Sequence, residues 1–429
     1  NLSKVGQQRA SKMIIEFISF QENYAEKYSE ELKSDSYQFK LKRLFKGAPI
    51  KYQDIDNIKD ENLRKSFGKS ISLEDALKLK KINVESFTNE LIYRIENNEK
   101  KLSDKKHNVK IAGVLPCPVR VPLTEALENW LSNKDFTFNV DYELKAASMG
   151  IDWLMEDFKK QNKEVLPDLF ISAGFDLFFD KKLFGKYKSE NIFEDITDFK
   201  QYNEDFHNEY IKLEDPNKQY SMIGVVPAVF LVNTEELNGR KMPTSWEDIL
   251  KEEFKNSVSL PIGDFDLFNA ILLNIYKNYG EEGLKSLGKS LKKSMHPSEM
   301  VKSHIKKYDK PAVTIMPYFF TKMIKQEGPM VAVWPKDGAI ISPIFMLSKK
   351  DKKEELKPLV DFFASKEVGE ILAHNGKFPS VNPNVDNMIA KNNKYMWIGW
   401  DYIKENDISS LIKKCEDIFN SSVKGDESL

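Results

Sequence analysis

The side chains best placed to do chemistry in this chain are ones that hold a ligand rather than ones that attack a bond. Arg120 stands in the stretch Pro116 to Pro122, where Pro118 and Pro122 restrict the backbone on either side. A guanidinium fixed there can grip a carboxylate or phosphate through two parallel hydrogen bonds, and the alternative is a surface arginine in a proline-rich turn. Cys117, in the same stretch, reads either as a small buried apolar residue or as lining of the same site. Ser172, Ala173 and Gly174 follow an apolar run, and Gly174 permits a close backbone approach. A hydroxyl and N–H groups at a helix start there would suit an anion; otherwise the three residues are a turn. Asp264 and Asp266 precede the apolar stretch from Leu267, and either can cap a helix. Tyr318 begins a Tyr-Phe-Phe cluster that is a ligand-facing aromatic floor or a piece of core, and Trp334 stands just ahead of an Asp337-Gly338 turn.

These residues have no catalytic partners in the pattern. The chain carries no nucleophile elbow, phosphate loop or dinucleotide glycine motif. Its five histidines, at 107, 207, 296, 304 and 374, form no i, i+4 pair, and Cys117 and Cys415 lie far apart in sequence. The expectation is a binding protein, not an enzyme, with no metal site and no cofactor.

Elements must position these side chains, and the apolar patterning supplies them. From Val109 onward, apolar runs of strand length alternate with amphipathic stretches: Val109–Leu115, a helix over Leu123–Leu131, a buried strand within 167–176, and later runs ahead of Asp264, Tyr318 and the stretch from Gly338. That alternation predicts a parallel sheet covered by helices, an α/β fold. The segment Val226–Leu250 passes from an apolar run through Asn233-Thr234 to Pro243-Thr244-Ser245-Trp246-Glu247-Asp248. Thr244 is set to cap a helix there, with Glu247 reaching back to the cap N–H. Residues 1–100 have helical spacing (Met13, Ile14, Phe17, Ile18; then Leu73, Ala76, Leu77 after a Ser72 cap) and predict an all-α module, followed by a charged, polar linker over 101–108.

Composition agrees with several parts. At 429 residues the chain exceeds the size of one growing core. With 65 Lys and Arg against 66 Asp and Glu, the formal charge is -1, which argues against a nucleic-acid binder. No run approaches eighteen apolar residues, and the first residues lack the pattern of a secretory signal.

The order of the pieces in Val226–Leu250 resembles the first crossing between lobes in the two-lobed solute-binding proteins of ABC transporters, in particular the branch of ferric-iron and related binders. The resemblance runs over about 109–390 and includes the closing stretch Leu356–Pro383. Residues Ser66–Glu96 resemble a small helical module of unknown function that precedes such domains. The resemblance implies a periplasmic-binding-protein-like α/β fold of two lobes joined by two crossing strands, with the all-α module in front. Lobe one would comprise 109–225 and 340–429, and lobe two 226–339. It implies a monomer that captures a small solute in a cleft that closes on it and meets transporter permease subunits outside the cytoplasm, at the cell surface; the Arg120 guanidinium and the N–H groups near Ser172–Gly174 favour an anionic one. A cytoplasmic sensor on the same fold is the alternative. Cys117, Arg120, Ser172, Ala173, Gly174, Asp264, Tyr318 and Trp334 are the expected cleft residues. Ferric-binding relatives have two adjacent tyrosines where this chain has Tyr318 and Phe319, so a ferric site is not expected.

Overall fold

A computed structural model describes residues 107–147, 151–175, 177–206, 211–262, 265–295, 297–305, 308–325 and 327–424. The helical module expected over 1–100, most of the linker, and Asp264 lie outside the described residues.

The main elements are β1 (Asn108–Leu115), α1 (Cys117–Ser132), β2 (Asn139–Ala146), α2 (Asp152–Lys159), β3 (Leu169–Ala173), β4 (Ser221–Asn233), β5 (Val258–Leu260), α3 (Phe265–Ser290), β6 (Leu291–Ser294), β7 (Val313–Pro317), β8 (Met330–Val333), β9 (Ala339–Ser348), α4 (Lys353–Phe363), β10 (Tyr395–Met396) and α5 (Ile408–Lys424). The apolar runs became the interior strands because helices cover both of their faces: every residue of β3, β4, β7 and β9 is buried. The edge strand β2 mixes Asp141, Glu143 and Lys145 with apolar residues, and none of its residues is fully buried.

Strand pairing sets the architecture. β2, β1 and β3 run parallel to one another, and so do β7, β5 and β6. Between these groups lie β4 and β9, which pair antiparallel from Ser221↔Met346 to Ala228↔Ile340. The far half of β9 pairs with β3, and the far half of β4 pairs with β7 and β8. Hydrogen bonds therefore run in one path, β2-β1-β3-β9-β4-β7-β5-β6. A single uninterrupted sheet would count against two lobes. Here the continuity comes from the two crossing strands pairing with each other, each attached to a different parallel group at its far end. Pro227 opposes Ile341 and Pro343 opposes Val225, so a proline without an N–H stands in each crossing strand on either side of the Val226↔Ser342 pair.

Local chemistry shifted two boundaries. The helix α1 begins at Cys117, not near Leu123, because a proline in the first turn gives up an N–H that would have no helical partner anyway. Pro122 lies inside the same helix. Ser245, not Thr244, caps the helix at Trp246–Ile249: its hydroxyl accepts from the Asp248 N–H at 3.2 Å, while the Asp248 carboxylate accepts from the Thr244 N–H at 3.0 Å. The expected Thr244–Glu247 reciprocal cap is replaced by Ser245 as the cap, with Asp248 reaching back past it to the Thr244 N–H.

The core is aromatic. Phe170 has Phe178 at 5.1 Å, Phe158 at 5.5 Å and Phe193 at 6.0 Å between ring centroids. Truncating such a fully buried ring to alanine typically costs about 3–5 kcal/mol. A buried ion pair fastens β3 to the end of β9: the Lys349 Nζ lies 3.1 Å from Asp168, whose other oxygen accepts from the Lys110 N–H at 2.9 Å and faces Lys352 at 3.2 Å. The last helix, α5, packs on α3, with Phe419 edge-on to Phe268 at 5.3 Å.

Candidate functional site

Beyond the end of β7, where the segment after β8 meets β10, four aromatic rings form a chain. Tyr318, the residue after β7, meets Trp334 edge-on at 5.2 Å; Trp334 meets Tyr395 of β10 at 5.5 Å; Tyr395 stacks on Phe206 at 5.1 Å. Tyr318 and Trp334 are half-buried, while Tyr395 and Phe206 are buried. The indole N–H of Trp334 donates to the Lys394 carbonyl at 2.6 Å and fixes the ring beside the β10 strand. The Tyr395 hydroxyl is buried and has no hydrogen-bond partner among the described residues.

Two lysines cross this seam in opposite directions. Lys322, on the turn of helix Tyr318–Met323, donates to the carbonyls of His374 and Asn375. Lys377, two residues beyond Asn375, returns: its Nζ stands 4.4 Å over the Tyr318 ring and donates to the Thr321 hydroxyl at 3.1 Å. Burial lowers the pKa of both lysines, and Lys322 lowers that of Lys377 further. Neither forms an ion pair with a carboxylate among the described residues. Lys377 holds a left-handed backbone (φ 48°), which aims its side chain back across the seam.

Burial raises the Tyr318 phenol, so a phenolate is disfavoured at neutral pH, and the next residue, Phe319, packs edge-on against Phe320 instead of offering a second oxygen. Burial also raises the half-buried Asp205 carboxyl, opposed by a hydrogen bond from the Asn387 amide at 2.9 Å. Asp205 and Tyr318 in turn add to burial in raising Tyr395.

Of the expected residues, Tyr318 and Trp334 meet at this seam, and the other described ones have settings different from those the sequence suggested. Arg120 is on the first turns of α1 rather than in a loop. Its neighbour Val119 sits against Gly376, where an added Cβ would lie 2.5 Å from the valine methyl, and Lys377 follows directly. Cys117 is exposed at the start of α1, not buried. Ser172 and Ala173 are the last residues of β3, not a loop beyond it. The Gly174 N–H, expected to be available to an anion, donates to the Pro343 carbonyl at 2.9 Å. Among the described residues no α-helix opens there; a short buried 3-10 helix, Leu177–Phe179, follows. Gly174 needs its positive φ of 92°, and a Cβ on it would lie 2.8 Å from an Asp266 carboxylate oxygen at the start of α3. Phe175 stacks on Trp397 at 5.5 Å, which links this corner to the β10 segment. Tyr318 and Trp334 stand at the seam itself. Lys322, Lys377, Tyr395, Phe206 and Asp205 were not flagged by sequence. The alternation Tyr395, Trp397 was the one available hint.

Two parallel strand groups joined by paired, buried crossing strands, with a polar and aromatic seam between them, define a periplasmic-binding-protein-like fold. The family model for bacterial extracellular solute-binding proteins matches residues 164–406, more than half of the chain, and the chain belongs to that family. The ferric binding protein from Campylobacter jejuni is 15% identical, with a TM-score of 0.51 over 73% of this chain and 99% of its own. AfuA from Actinobacillus pleuropneumoniae, a periplasmic binding protein with exogenous fructose-6-phosphate bound, is 16% identical, with a TM-score of 0.51 over 74% and 99%. The apo ferric ion-binding protein A of Pasteurella haemolytica is 11% identical, with a TM-score of 0.53 over 72% and 97%. At these identities the likeness shows the fold. A comparison with curated protein sequences finds no match. The protein is a solute-binding component of the ABC-transporter kind, in a family that works outside the cytoplasm with membrane permease subunits as partners. No described helix is long and apolar enough to cross a membrane.

Proposed function

We propose that this protein captures a small organic anion between its two lobes, closes on it, and presents it to a transporter permease as a monomer held at the cell surface. The observation that carries the reading is the exchange of Lys322 and Lys377 across the seam. Two partly desolvated cations influence each other there, with no carboxylate paired to either among the described residues. An anion entering between them relieves that repulsion and gains charge-assisted hydrogen bonds. Arg120 follows Val119, which packs against Gly376 next to Lys377, and is assigned here as a third positive group. Tyr318 and Trp334 supply the wall. Lobe one is assigned 109–225 and 340–429 and lobe two 226–339, with α5 reaching over to lean on α3. A ferric ion fits less well, because Tyr318 resists deprotonation and Phe319 replaces a second phenol. That one structural relative holds fructose-6-phosphate is in keeping with an organic anion.

The test is titration calorimetry with fructose 6-phosphate, citrate and inorganic phosphate against glucose and putrescine, paired with solution scattering. The tightest ligand is expected to be an anion, and its binding to shrink the radius of gyration. A neutral or cationic compound binding tightest overturns the anion reading.

A further inference from the structure

Building on the anion reading, we infer that Tyr395 is a solute-contacting residue whose hydroxyl selects anions that also carry hydroxyl groups. Tyr395 has only 5% of its surface exposed, and its hydroxyl finds no partner among the described residues. Buried polar atoms in folded proteins are almost always hydrogen-bonded, so one left open beside the Tyr318, Trp334 and Lys377 side chains points to a partner supplied from outside. Its place agrees with this. The ring is held between Phe206 on one side and Trp334 on the other, and Trp334 leads directly to Tyr318 and Lys377.

The groups around it have complementary demands. Lys377 takes the negative end of a solute. The faces of Tyr318 and Trp334 take its C–H surface. The Tyr395 hydroxyl can donate to or accept from a solute hydroxyl, and the half-buried Asp205 carboxyl adds a second acceptor on the Phe206 side. A bare inorganic anion satisfies the lysine and leaves Tyr395 open. A polyhydroxylated anion, such as a sugar phosphate or a hydroxycarboxylate, satisfies both.

The experiment compares Tyr395→Phe with the wild type using two pairs of probes: glucose 6-phosphate with inorganic phosphate, and citrate with tricarballylate, which lacks only the hydroxyl. The wild type is expected to bind at least one hydroxylated anion about tenfold more tightly than its hydroxyl-free counterpart. In Tyr395→Phe that preference falls to near one, while affinity for the hydroxyl-free anion is unchanged, since one neutral hydrogen bond is at stake. Without ligand the variant melts at the same temperature or higher, because a buried unpaired hydroxyl has been removed. A merely structural hydroxyl would give the opposite sign. A preference that survives in the variant, a wild type that prefers neither hydroxylated anion, or a lower melting point without ligand overturns the inference. If hydroxyl-free anions bind best, the anion reading survives and this inference falls; if no anion binds, both fall.

Discussion

Replacing Lys377 with methionine separates binding from folding. The change keeps the aliphatic stem and removes the charge that stands 4.4 Å over Tyr318 and 3.1 Å from the Thr321 hydroxyl. A hydrogen bond between a charged group and its partner contributes about 1.5–3 kcal/mol, so affinity for the tightest anion should fall about ten- to a hundredfold. Stability should barely change, for two opposed reasons. Burial and Lys322 lower the Lys377 pKa, so the folded protein holds this proton less firmly than the unfolded chain. That unfavourable contribution is fully present below the lowered pKa and fades as pH rises toward the ordinary lysine value; at neutral pH the substitution removes it. The lost cation–π contact, about 0.5–1 kcal/mol, acts the other way. Calorimetry with the anion panel and a melting curve on the same sample measure both effects. An anion affinity within threefold of wild type refutes the role of Lys377, as does a loss of binding that merely tracks a collapse in melting temperature.

Lys349→Met should lower stability by about 3 kcal/mol in urea unfolding, because it strips Asp168 of its buried partner and leaves Lys352 and the Lys110 N–H to hold it. Anion affinity should be unaffected, and a variant as stable as wild type would show that the pair is dispensable. Asp205 gives a pH signature. Its carboxyl is raised by burial, so ionising it opposes folding, and stability should decline as pH rises from below the usual carboxylate range through the raised value. Asp205→Asn should flatten that part of the profile, and superimposable curves would exclude the assignment.

The crossing strands were legible in the sequence because thirteen buried residues of β4 and ten of β9 form apolar runs that few other structures explain. Strand β2 was not, since an edge strand carrying Asp141, Glu143 and Lys145 reads as surface. The first turns of α1 were hidden by Pro118 and Pro122, which suggest a loop although a proline near a helix start costs little. At the site, Tyr318 and Trp334 stood out as aromatic residues beside turns. Lys377 and Tyr395 did not: one lies in a left-handed loop position and the other in a strand of two residues, and neither setting leaves a periodic trace. Their importance comes from partners 50 or more positions away in the chain, at Thr321 and Trp334. Pairings over such separations are decided by tertiary folding alone.

The two prolines in the crossing strands bear on how such a molecule moves. Pro227 and Pro343 stand on opposite sides of Val226↔Ser342 at positions whose backbone faces away from the partner strand: the Pro343 carbonyl accepts from the Gly174 N–H at 2.9 Å, and the Val225 N–H opposite Pro343 donates outward to the Pro379 carbonyl at 3.0 Å. At this midpoint the two strands have only each other as strand partners, since β3 joins β9 from Ile344 onward, β7 joins β4 from Ala228 onward, and β10 reaches β9 only at Ala339 and Ile340. A two-stranded ribbon of that kind behaves as a torsion bar: stiff against stretching and in-plane bending, soft in twist about its own axis. Rotation of one half against the other would then follow a single path and strain few bonds, and energy from closing on a solute would go into contacts at the seam rather than into breaking the link.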